Sequence, residues 1–122
     1  MRFLVLIHDE TDGDAGPPPA SMMDAMAAFR ADTRHGELVD DGGLTPPDEA
    51  IRVRTSDGRA SFVDGPFAEA KEVVGGFFVV ESPSRADAAI WSKAFAELHA
   101  AHWPGLNFTA EVRQIVDPTR EP

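Results

Sequence analysis

Asp64 opens the densest run of reactive residue types in the chain, with Phe67, Glu69, Lys71 and Glu72 close behind it. A carboxylate near a lysine is suited to proton transfer. Burial raises the acid's pKa toward general-base values, and a neighbouring cation lowers it. Asp64 is therefore the leading catalytic candidate. Glu69 is a second acid/base group, and Lys71 a cationic partner for Asp64 or for an anionic ligand. Phe67 is a candidate ligand contact. A structural reading stands beside this one: Asp64 before Gly65-Pro66 can anchor a turn, and Glu69, Lys71 and Glu72 can form a solvated charged loop.

Two further candidates lie at strand positions. His8 ends an apolar run, where an imidazole with an unperturbed pKa near 6.5 suits a general base or a strand-end hydrogen bond. Arg113, on an alternating segment, has a guanidinium fork that binds carboxylates bidentately, which would suit a small organic acid. Its structural alternative is a cross-strand ion pair with an acidic residue such as Glu81. His35 is expected beside a helix C-terminus, where the dipole favours it. His99 and His102 have helical spacing but no third ligand except Glu97, so no metal site is expected. With no cysteine, disulfides and thiolate chemistry are excluded. Gly75-Gly76 lies within a strand instead of before a helix, so it is no phosphate-binding loop.

These residues sit on a chain of 122 residues, a length suited to one domain. The domain is expected over residues 1–116, with 117–122 as a short flexible tail. The net charge is −10 and no Lys/Arg cluster offsets it, which disfavours direct binding to nucleic acid or anionic membrane. The apolar opening, Met1 to Ile7, is too short for a signal or a membrane span, so a cytoplasmic protein is expected.

Periodicity supplies the elements. Arg2 to His8 reads as a buried strand. Ser21 and Asp24 have capping-box spacing for a first helix, with Met22, Met26, Phe29 and Thr33 on its inner side and Gly36 as its stop. Leu38, Val39 and Leu44 return the chain to the core. Ile51–Thr55 and Arg59–Val63 flank Asp57-Gly58, a tight-turn pair, so Val53 should face Phe62 and Arg52 should face Val63. That register places Asp64 along the apolar face of Ile51, Val53 and Phe62. Val73 to Val80 is another strand, with a bulge or close backbone approach at Gly75-Gly76. Ser84 and Asp87 begin a second helix with Trp91, Phe95 and Leu98 in its core stripe and Ile90 and Ala94 alongside. Phe108 to Ile115 alternates as the last strand.

Strand, helix, hairpin and strand, helix, strand approximates a ferredoxin-like βαββαβ protomer: an α+β fold with both helices on one face of an antiparallel sheet. The other face carries apolar residues and needs a cover. A second copy of the chain is the simplest cover, giving a homodimer.

The run Asp64-Gly65-Pro66-Phe67, together with Gly43-Leu44-Thr45-Pro46-Pro47, Gly75-Gly76-Phe77-Phe78 and Glu111-Val112-Arg113, resembles the YCII-related (DGPF-type) family over nearly the whole chain. The resemblance implies a dimeric α+β barrel, a pocket near the dimer interface and a functional role for Asp64. In fold, such proteins are similar to cofactor-free monooxygenases and muconolactone isomerases. The resemblance also implies a link to extracytoplasmic-function sigma factors, beside which some such proteins are encoded. The shorter family type carries a histidine early in the first helix. Here Ser21 to Ala28 has none, so a His-Asp dyad there is not supported. Two functions are expected to compete. One is a small-molecule enzyme without cofactor that uses Asp64. The other is a non-catalytic ligand sensor or interaction module with a regulator protein, linked to sigma-factor-dependent transcription.

Overall fold

The computed structural model of the chain describes residues 1–11, 15–64 and 73–119. The elements are β1 (Arg2–Asp9), α1 (Ala20–Ala31), β2 (Glu37–Gly43), a 3₁₀ turn (Pro47–Glu49), β3 (Arg52–Ser56), β4 (Arg59–Val63), β5 (Val73–Glu81), α2 (Arg85–His102) and β6 (Phe108–Gln114). A four-stranded antiparallel sheet has the order β2-β5-β1-β6, and β3-β4 form a separate two-stranded sheet. Because β2 and β6 both flank a neighbour antiparallel to them, β1-α1-β2 and β5-α2-β6 are split β-α-β crossovers. The fold is ferredoxin-like α+β, as expected.

The strand membership differs from expectation. The second core strand is Glu37–Gly43, paired to β5 through Leu38↔Val80 and Gly43↔Gly76. Its sequence, ELVDDGG, carries little apolar periodicity because it is an edge strand broken by a register shift between Leu38 and Asp40. Leu38 packs on the core, whereas Val39 and Leu44 are exposed. The hairpin is an insertion after this strand. Its register is as read, with Val53↔Phe62 and Arg52↔Val63. Asp57 (φ 53°) and Gly58 (φ 76°) both take positive φ, the signature of a type I′ turn.

The core lies between the sheet and the two helices. Val5, Val80, Trp91 and Phe95 are buried, with Ile7, Met26, Phe29, Leu38, Phe78 and Val112 against them. Rings supply much of the contact: Trp91 and Phe95 stack at 5.5 Å, and Phe78 meets Phe95 edge-on at 4.7 Å. Ile90, expected beside this stripe, is exposed. Thr33 lies beyond the end of α1 and is exposed.

The helix ends also differ from each other. Ser84 Oγ accepts the Asp87 amide at 3.0 Å and donates to Asp87 Oδ2 at 2.7 Å, so α2 is capped as its sequence suggests. α1 begins after Pro19 with no side-chain cap, and Ser21 instead meets His102 Nδ1 at 2.9 Å. Its C-cap is Asp32, not Gly36. Gly36 is a packing glycine: a Cβ there would lie 2.6 Å from Val80 Cγ1 and 3.1 Å from Trp91 Cδ1.

Candidate functional site

Strand alternation sends Phe3, Val5 and Ile7 toward the helices, so Leu4, Leu6 and His8 point to the opposite face. On β6 the partners of that second set are Arg113, Glu111 and Thr109. Glu111 therefore sits diagonally from His8, and His8 Nε2 lies 2.8 Å from Glu111 Oε1. The imidazole is largely covered, with 15% of its side chain exposed, against 47% for Glu111. An imidazole nitrogen at this distance from a carboxylate shares one proton with it, so Nε2–H donates and Glu111 accepts. The other carboxylate oxygen, Oε2, lies 3.9 Å from Arg113 Nε. Glu10 flanks the group by accepting from Thr109 Oγ1 at 2.8 Å. A depression of about 310 Å³ lined by His8, Glu10, Thr109, Ala110 and Glu111 opens beside the pair.

The arrangement presents a reachable carboxylate held by a covered histidine, with a cation on its far side. Chemically, this can accept a proton and bind an anionic group next to the acceptor. Sequence reading singled out His8 and Arg113 without their shared partner. The signal for Glu111 was present in the alternation of β6, but the pairing of β6 with β1 is a tertiary fact.

The remaining candidates are placed differently. Asp64 follows β4 and is exposed. The apolar face on which the register places it is itself exposed, with Ile51 at 81%, Val53 at 62% and Phe62 at 77%. Phe67, Glu69, Lys71 and Glu72 lie outside the described residues. Arg113 does not pair with Glu81. The N-terminal ammonium and Arg2 occupy that carboxylate at 3.2 and 3.0 Å, and their hydrogen bonds hold it below the usual carboxylate range.

The other histidines have structural partners. His35 Nδ1 meets Asp87 Oδ1 at 2.8 Å, so it binds the first turn of α2 instead of facing the α1 dipole. That contact, followed by Ser84, lowers the Asp87 pKa. His99 Nδ1 donates to the Phe95 carbonyl at 2.9 Å while His102 turns to Ser21, so the two rings are held apart. No group of three metal-binding side chains occurs among the described residues, and no helix there is long and apolar enough to cross a membrane. The bulge expected at Gly75-Gly76 is present as a register shift between Ile7 and His8. A Cβ on Gly76 would come within 3.0 Å of the Gly42 carbonyl, so close approach also holds.

Among known families, the model described as the YCII-related domain matches residues 1–104 of the chain. No curated protein matches it.

Proposed function

We propose that this chain, which belongs to the YCII-related family, is a small-molecule enzyme that moves a proton with Glu111 as the base and His8 as its positioning partner. The 2.8 Å His8–Glu111 contact carries the reading. Glu111 is the half-exposed member that a substrate reaches, and His8 fixes the carboxylate through Nε2–H. Arg113 supplies the anchor for a substrate carboxylate, which points to small organic acids with an acidic C–H next to a carbonyl.

A second copy of the chain covers the face that carries this pair. Two apolar surfaces support that part of the reading. One is the sheet face of Leu4, Leu6, Phe77 and Val79, and the other is the hairpin face of Ile51, Val53 and Phe62. A lone two-stranded hairpin is marginally stable in water, so its apolar face favours a partner surface. Asp64 belongs to the same reading as a second acid/base group. It is open to water in the single chain, and only burial by the second copy would make it an effective base.

The test is deuterium uptake from D₂O into a panel of small keto acids, followed by proton NMR. Wild type is expected to exchange the C–H, and Glu111→Gln to lose about a hundredfold or more of the rate. Asp64→Asn separates the two carboxylates. Equal exchange by wild type and Glu111→Gln would remove Glu111 from the chemistry. Binding without exchange would leave a ligand-binding module.

A further inference from the structure

Across the sheet from His8 and Glu111, a cavity of about 250 Å³ lies between the C-terminal half of α2 and the glycine-rich ends of β2 and β5. Phe78, Phe95, His99, Leu106 and Phe108 wall it, Gly42-Gly43 and Gly75-Gly76 line its sheet side, and the Asp41 carboxylate stands at its edge. The glycines make the space. Gly76 lets the two strands approach where a Cβ would meet the Gly42 carbonyl, and a Cβ built on Gly43 meets nothing within 4 Å.

Among the described residues, the polar side chains that line this cavity, Asp41 and His99, offer acceptors. His99 Nδ1 is committed to the Phe95 carbonyl, so in the neutral ring Nε2 carries the lone pair. Burial favours that neutral ring by lowering the histidine pKa. No described residue donates to Nε2. The ring packs with its centroid 4.2 Å from that of Phe95 and edge-to-face with Phe108 at 5.4 Å. Asp41 is a second acceptor, and its Oδ2 already receives Arg30 at 2.8 Å. A cavity with aromatic walls, fixed acceptors and a carboxylate at its edge suits an uncharged planar ligand that brings its own donor. Cavities of about 150 Å³ already admit a benzene ring, so the volume is sufficient for a single substituted ring.

We infer that this cavity binds small neutral phenols, with the ring against Phe95 and Phe108 and the hydroxyl donating to His99 Nε2. It is a site separate from the His8–Glu111 pair and does not rest on the proton-transfer reading.

The experiment titrates phenol, toluene and benzoate into the intact chain while recording the imidazole ¹⁵N signals of His99. Phenol is expected to bind and shift Nε2, toluene to bind about tenfold more weakly for want of the hydrogen bond, and benzoate to be rejected. His99→Phe keeps an aromatic wall and should erase the advantage of phenol over toluene. Gly43→Leu fills the cavity from a position with room for the side chain and should abolish binding of both, with melting curves confirming that each variant folds. Equal affinity for phenol and toluene, unchanged binding in Gly43→Leu, or no binding of phenol at millimolar concentrations would each overturn the inference.

Discussion

At the residue scale, His99 and Gly36 show how burial turns ordinary side chains into sensitive positions. The His99 ring is half-buried and resists protonation, so its folded pKa lies below the ordinary value of 6.5. As pH falls through 6.5 the unfolded chain takes up a proton that the folded ring refuses. Stability therefore declines from about pH 6.5 downward until the folded ring also titrates. Thermal melts between pH 8 and 5 are expected to show this slope, and His99→Phe to reduce it. Gly36 sits against Val80 and Trp91, where an added Cβ has no free space. Gly36→Ala is expected to cost about 1–3 kcal/mol in urea unfolding, because the contacted core side chains are held on every side. His8 was legible as a candidate from its place at a strand end. Glu111 was legible only as a position on the alternating β6, since a strand glutamate looks like any solvated charge until its neighbour is known.

At the element scale, the two helices show when a local pattern can be trusted. Ser84 and Asp87 form the cap that their spacing implies, and Ser21 and Asp24 do not, although the spacing is the same. Pro19 takes the cap position in the second case, so the helix starts two residues early and Ser21 falls inside it. Ser84→Ala is expected to cost about 1 kcal/mol of stability, and Ser21→Ala to lack this capping penalty. Equal losses in chemical denaturation would contradict that assignment. The hairpin register was fully legible, since Asp57-Gly58 supports positive φ at both turn positions and leaves one pairing. Its place was not legible. Alternating apolar residues look the same in a core strand and in an inserted hairpin, so β3-β4 read as part of the main sheet. The edge strand β2 was passed over for the opposite reason: two aspartates and two glycines hide a strand that pairs with its neighbour chiefly through backbone hydrogen bonds.

At the scale of the whole molecule, the chain has one well-covered sheet face and a second face that the helices do not reach. Under the proposed assembly, static light scattering at micromolar concentration is expected to give twice the chain mass. Phe62→Asp is expected to shift the population toward the single chain, because it places a charge on an apolar surface that the second copy would bury. A single-chain mass for wild type would remove the cover from both Asp64 and the His8–Glu111 face. By itself, the sequence determined the α+β class, the ferredoxin-like order of the outer elements, the hairpin turn, the cap of α2 and its buried Trp91 and Phe95. All of these depend on residues near one another along the chain, where periodicity and turn chemistry act. Tertiary structure alone decided that Glu37–Gly43 is the second core strand, that Arg2 instead of Arg113 holds Glu81, and that His8 meets Glu111. Those outcomes depend on which strands lie side by side, and that is settled by burial summed over the whole sheet. The DGPF segment led to the family, whereas the pair that carries the proposed chemistry emerged only when β6 was laid against β1.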